Sequence, residues 1–186
     1  MVIIIFCEEA SGRMIPANTF GVDMTNAATP YFQVVKDNRI RFGLETFRQH
    51  PGLAKSLFHH LFPIEEKLDM TFISGYQDID STRVRREKLN LRRFFKINNW
   101  SNEVVWEEEM SGYFVFSTVK NVKSSAFFRY TLKMIGGHTS LYICFVHRAF
   151  LFYISSDVLD IVANAHTIRR LKDLFPEMYD TFYEDE

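Results

Sequence analysis

Cysteine is scarce: Cys7 and Cys144 are the two in 186 residues. Two thiols could form one bridge at most, which is no disulfide framework, and Cys7 and Cys144 do not have the CxxC spacing of a zinc site. Both sit in apolar runs, so they read as small core residues in a reducing cytosol. Proline and glycine are few as well, 5 and 8, and they are scattered. That excludes collagen-like repeats, proline-rich linkers and low-complexity arms. With no break in composition, residues 1–186 read as a single domain, long enough to bury roughly 70% of its unfolded surface without staples.

Excess charge is also missing. Lys+Arg 22 against Asp+Glu 23 leaves −1, so the overall balance predicts neither nucleic-acid nor membrane binding. No long apolar run occurs. Val2–Phe6 is too short for a signal-peptide core or a membrane span, and Leu141–Ile154 is broken by His147 and Arg148. We therefore expect a soluble, cytoplasmic protein with no membrane partner. The chain has no P-loop, no GxGxxG, no CxxC, no HExxH and no GxSxG nucleophile elbow. No cofactor and no metal are expected.

What the chain has in excess is aromatic residues: Phe 19, Tyr 8 and Trp 2, or 16%. On strands, alternate aromatics fill a sheet–helix core and pair across strands. Strands are expected at Val2–Phe6, Leu68–Ser74, Val104–Met110, Tyr113–Val119, Phe127–Ile135, Ser140–His147 and Phe150–Ser155. Tyr31–Val35 and Arg39–Leu44, around Lys36-Asp37-Asn38, resemble a hairpin. Residues 8–30 read as a long loop. Pro51 opens a helix with Leu53, Leu57, Phe58 and Leu61 on one face, closed by Pro63. Ser155-Ser156-Asp157 would cap a second helix with Val158, Ile161, Val162, Ala165 and Ile168 in phase. Residues 83–97 fit either a basic helix or a strand; a short helix from Ser81 to Arg86 followed by a strand suits the apolar spacing better.

Short connections make neighbouring strands antiparallel. The expected fold is α+β: an antiparallel meander of five to seven strands, with two helices packed on one face. The adjacent pairs Phe94-Phe95 and Phe127-Phe128, with Tyr113–Phe116 and Phe150–Tyr153, are apolar on both faces. Two helices cannot cover both. The sheet curls into a half-barrel, or the long N-terminal loop covers the second face, or a partner does.

Charge is segregated along the chain. Arg83–Lys96 holds seven basic residues and one acid, Glu103–Glu109 four acids, and residues 177–186 five acids and no base. In the basic segment, Arg83, Arg85, Arg86, Arg92, Arg93 and Lys96 with Phe94 could hold single-stranded nucleic acid by phosphate contact and stacking. The plainer expectation is a hairpin in which Arg92, Arg93 and Lys96 face Glu107, Glu108 and Glu109. The six histidines include no metal-ligand spacing. His138-Thr139-Ser140-Leu141 has the local form of one motif of the two-histidine phosphoesterases, but no second copy occurs, so no role follows from it. An RNase-type acid–base pair could be assembled only from His59 or His60 with His138, plus Arg92 and Arg93 to hold the phosphorane.

No self-consistent catalytic set emerges. The acidic, aromatic C-terminal tail supplies Tyr179, Phe182 and Tyr183 as anchors and Asp180, Glu184 and Asp185 as steering charges. The expected function is therefore non-catalytic binding of another protein, a basic one. Its specific form would be a microbial immunity-type inhibitor that neutralises a nuclease toxin. The alternative is a nucleic-acid-binding protein or metal-independent RNase using 83–96. A homo-oligomer sharing the second sheet face is a third arrangement.

Overall fold

The computed structural model describes residues 15–81, 83–86, 91–108, 111–138 and 142–183. The strand expected at Val2–Phe6, together with Glu184 and Asp185, lies outside the described residues. The order of elements is α1 (Pro30–Gln33), β1 (Arg39–Gly43), α2 (Leu44–Gln49), α3 (Leu53–Leu61), β2 (Lys67–Asp78), β3 (Arg85–Arg86), β4 (Trp100–Glu107), β5 (Gly112–Lys123), α4 (Ser124–Ile135), β6 (Ile143–Val146), β7 (Phe150–Ile154), β8 (Val158–Ala163) and α5 (Ala165–Leu174). The strands form one open sheet in the order β1-β8-β7-β6-β2-β5-β4, and the two-residue β3 pairs with β2. Every pairing is antiparallel. The α+β antiparallel architecture is as expected. Gly75 admits β3: a Cβ there would lie 2.5 Å from the Arg85 carbonyl oxygen.

Two layers cover the sheet. On the helix side, Ile40, Phe42, Met70, Phe145, Phe152 and Ile161 pack against Phe47, Leu57, Phe58, Phe127 and Leu171 from α2 to α5. Phe127 stacks on Phe145 with centroids 4.2 Å apart. On the other side, Ile15, Ala17, Val22 and Met24 cover Phe116, Cys144, Leu151, Tyr153 and Val162. The N-terminal segment is thus the cover that the two-faced strands require.

Several local expectations are corrected. Tyr31–Val35 is not a hairpin arm: Pro30–Gln33 is one helical turn, and β1 pairs with β8, across more than a hundred residues. Phe127–Ile135 is helix, not strand. Phe127, Tyr130, Thr131 and Met134 recur at i, i+3, i+4 and i+7 and are buried. Val158–Ala163 is strand, not helix, and the helix begins at Ala165. Asn164 caps it, accepting the Thr167 N–H at 2.9 Å. Among its described residues, the basic segment forms neither the expected helix nor the expected strand. Arg85–Arg86 is β3 and Leu91–Arg93 is a 3-10 turn, with Leu91 and Phe95 buried on the helix side. The acidic strand pairs with β5 instead, so Arg92, Arg93 and Lys96 do not face Glu107 and Glu108 across a hairpin; Glu109 lies outside the described residues.

Candidate functional site

β4 is an edge strand, with β5 on one side and, among the described residues, nothing on the other. Its sequence Trp-Ser-Asn-Glu-Val-Val-Trp-Glu alternates in exposure residue by residue. By strand parity Trp100, Asn102, Val104 and Trp106 share the side of β4 opposite Val105, which packs on the N-terminal layer, and Trp106 at the end of the strand also borders the grooves of that layer. The helices stop short of β4, and Trp100 is 54%, Val104 49% and Trp106 43% exposed. Trp106 meets Tyr113 of β5 edge-to-face at 5.0 Å. Between the apolar residues, Asn102 Oδ1 and Ser74 Oγ each lie 2.8 Å from the Ser117 hydroxyl. A domain of this size rarely leaves its large aromatics out together unless they contact something.

The opposite side of β4 is acidic. Glu103 and Glu107 are half-buried beside the N-terminal segment, and Glu108 is exposed. Two adjoining grooves run there, of about 420 and 550 Å³, with Asp23, Thr25, Glu103, Glu107 and Trp106 among their walls. The main-chain phase of β4 follows from one bond. The Lys120 N–H donates to the Asn99 carbonyl at 2.8 Å, and the register continues as Trp100 opposite Val119. In an antiparallel ladder hydrogen-bonded positions alternate, so Ser101, Glu103 and Val105 turn their main-chain groups to β5. Those of Trp100, Asn102, Val104 and Trp106 point away from β5, along the open edge.

The C-terminal residues are held by the body. The Asp180 N–H donates to the Arg41 carbonyl at 2.8 Å, along the outer edge of β1. Arg39 donates to the Tyr183 carbonyl at 3.3 Å. The Tyr183 ring meets Phe32 at 5.1 Å and Tyr31 at 6.3 Å, and the Lys172 ammonium lies 5.6 Å from the Tyr179 ring centre. Of Tyr179, Asp180, Phe182 and Tyr183, only Phe182 stands well clear, at 76% exposure. What reads as a solvated tail is a strap, because its partners Arg39 and Arg41 lie some 140 residues upstream.

The basic segment is anchored by Leu91 and Phe95 and presents Arg92, Arg93 and Lys96 to solvent. Arg83 is exposed, and Arg85 pairs with Asp78 at 3.2 Å. Arg86 lies in β3. Phe94 is committed to Tyr130 at 5.3 Å and His138 at 6.2 Å, so it is not a free stacking platform. The histidines do not converge. His59 lines a groove of about 290 Å³ beside Ser124 and Ser125, at the start of α4. His138 lies beyond the other end of that helix, whose twelve residues rise about 18 Å. Burial and the nearby Arg170 and His59 lower the His60 pKa. His147 is buried between Phe62 and Phe150 and bonds Glu66 at 3.0 Å, pinning a hairpin turn.

One row of residues crosses the sheet in register: Arg41, Asp160, Tyr153, Cys144, Thr71, Thr118 and Ser101. Arg41 donates two bonds to Asp160, at 2.6 and 2.8 Å, and its guanidinium lies 4.2 Å from the Tyr31 ring centre. Burial pushes the Asp160 carboxyl above the ordinary carboxylate range, with Arg41 opposing it. Burial, with Asp160 nearby, raises Tyr153 to about 12 and the Cys144 thiol further. Asp160 and Cys144 have no exposed surface, so a substrate cannot reach them and Cys144 is no nucleophile. Among the described residues, no group of three His, Cys, Asp or Glu side chains is placed to share a metal, and no helix is long and apolar enough to cross a membrane.

Compared with known protein families, curated proteins and solved structures, the chain gives no match. The β4 surface was missed in the sequence because tryptophan there reads as core. The signal was present: both tryptophans of the chain share one parity, with Val104, in a strand whose other positions apart from Val105 are polar or charged.

Proposed function

We propose that this protein works by binding another protein, a basic one, through the β4 face. The observation that carries the proposal is the pair Trp100 and Trp106, exposed with Val104 on an edge strand. Interface hot spots are enriched in tryptophan and tyrosine, and carboxylates around them give on-rate and register. Glu103, Glu107, Glu108 and Asp23 supply those charges on the adjoining side. An immunity-type inhibitor that masks the basic substrate cleft of a nuclease toxin is the specific form we favour. It would act in the cytoplasm, where such a toxin works, and it needs no chemistry of its own. The test is to identify the partner by capture and then to measure its affinity for the wild type and for Trp100→Ser/Trp106→Ser. A loss of at least about thirtyfold supports the reading. Unchanged affinity rejects it.

A second reading rests on Arg92, Arg93 and Lys96, which form no ion pair among the described residues and lie a few residues before the exposed Trp100. That arrangement would suit single-stranded nucleic acid. It predicts salt-sensitive RNA binding that Arg92→Ala/Arg93→Ala abolishes. No binding by the wild type at low salt rejects it. The separation of His59 from His138 favours binding over RNase chemistry within this reading.

A further inference from the structure

We propose that β4 receives an extended segment of its partner as an added strand, and that this segment carries lysine or arginine at alternate positions. The inference rests on the reading that β4 is the protein-binding surface, and it specifies how the partner is held. Three observations converge on it. The main-chain groups of Trp100, Asn102, Val104 and Trp106 point along an edge that no described residue pairs with. An edge of eight residues offers a ready ladder, and proteins that do not use such an edge blunt it with lysine, proline or a bulge. β4 contains no lysine or proline, and its register to β5 runs without a shift; its charges are the carboxylates Glu103 and Glu107, which oppose an acidic or like strand and admit a basic one. The two sides of β4 then set the chemistry of an added strand. One row of its side chains would lie beside Trp100, Val104 and Trp106 and should be apolar. The other would lie beside Glu103 and Glu107, with Asp23 and Glu108 near, and should be basic.

The two tryptophans of the chain both lie on this strand, so their emission reports the edge without a label. The probe is a capped ten-residue peptide alternating lysine with valine, titrated into the full chain. A control peptide carries glutamate in place of lysine. The lysine peptide is expected to shift emission to the blue, saturably and less strongly in high salt, while the glutamate peptide does nothing. Val104→Pro removes an outward N–H and leaves the bonds to β5 intact, because proline is tolerated on an edge strand where its nitrogen faces out. It should weaken the probe about tenfold, with circular dichroism and thermal midpoint close to wild type. Val104→Thr keeps the donor and the branched shape and should bind within about threefold.

Equal binding by Val104→Pro and wild type overturns strand addition while leaving the Trp100–Trp106 surface in place. Equal binding of the lysine and glutamate peptides, or no binding of either, overturns the basic segment. Two further outcomes assign the edge elsewhere and overturn the proposal. One is a wild-type dimer in sedimentation that Val104→Pro dissolves, which gives the edge to a second copy of the chain. The other is peptide binding that develops only when residues 1–14 are deleted, which gives it to the chain itself. Loss of native partner binding in Trp100→Ser/Trp106→Ser is a separate measurement, so failure of strand addition and failure of the surface itself are told apart.

Discussion

Replacing Asp160 with asparagine tests the buried row at its most exacting point. Asp160 and Arg41 are direct register partners on β8 and β1, with side-chain exposures of 0% and 8%. The carboxylate accepts from Nε at 2.6 Å and from Nη2 at 2.8 Å. Asparagine keeps one acceptor and turns an amide donor toward the guanidinium. Arg41 retains the Tyr31 ring, the Thr29 hydroxyl at 3.2 Å and the field of the nearby Asp180, but none of them replaces the two bonds to the buried carboxylate. Leaving one member of a buried pair costs about 3–5 kcal/mol. In a domain with about 5–15 kcal/mol in total, that is a large share. At about 2–4 °C per kcal/mol for this size, the midpoint should fall by roughly 6–20 °C. Thermal unfolding followed by far-ultraviolet circular dichroism measures that midpoint, and urea unfolding measures the loss in kcal/mol. Burial works against both charges, raising the Asp160 carboxyl while Asp160 keeps Arg41 favoured as a cation, and the cost of taking two charges out of water offsets much of their attraction. The pair should therefore add little net stability over an apolar one, and Arg41→Leu/Asp160→Leu should be more stable than Asp160→Asn. A loss below about 1 kcal/mol in Asp160→Asn, or a double variant as unstable as the single, would refute this reasoning.

Phe127→Ala removes a ring with no exposed surface from the stack on Phe145 and should cost about 3–5 kcal/mol by urea unfolding. Glu65 accepts from the Ser125 N–H and the Ser124 hydroxyl, each at 3.0 Å, and so caps α4 from a distant loop. Glu65→Ala should cost about 1 kcal/mol at neutral pH. The Ser125 N–H holds the Glu65 carboxyl below its ordinary range. A depressed carboxyl contributes stability above its unfolded pKa, and that contribution disappears as pH falls through the folded value. The gap between wild type and Glu65→Ala should therefore close in acid and persist at pH 7. Deleting residues 177–186 removes the Asp180 and Tyr183 contacts to β1 and the Tyr183 ring contacts, and should lower stability by about 3 kcal/mol. Partner affinity should change less than about tenfold, because the strap is used within the chain.

The class of the fold could be read from the chain because antiparallel strands with short connections carry local signals. Phe150–Ile154, Ile143–Val146 and Gly112–Lys123 announced themselves by β-branched and aromatic runs between turns. Where packing overrides composition, local reading failed. Phe127–Ile135 is rich in strand formers, yet its buried residues keep a helical period because α4 lies flat on the sheet. Val158–Ala163 is buried on both faces and apolar except for Asp160, and a run of that length fits helix and strand equally. The β1–β8 pairing and the strap across β1 depend on contacts more than a hundred residues apart, which no window of sequence contains. The need for a cover on the second face was legible in the two-faced strands, and residues 15–24 meet it. The candidate surface was obscured for a related reason: only the sheet order makes β4 an edge, and only at an edge do Trp100 and Trp106 escape the helices.

The partner's affinity for Trp100→Ser/Trp106→Ser, compared with wild type by titration calorimetry, tests that surface most directly. The substitutions remove exposed side chains, so the fold should persist, with an unchanged circular dichroism spectrum. We expect affinity to fall at least about thirtyfold. A folded double variant that binds the partner as tightly as the wild type would contradict the assignment of β4 as the binding face.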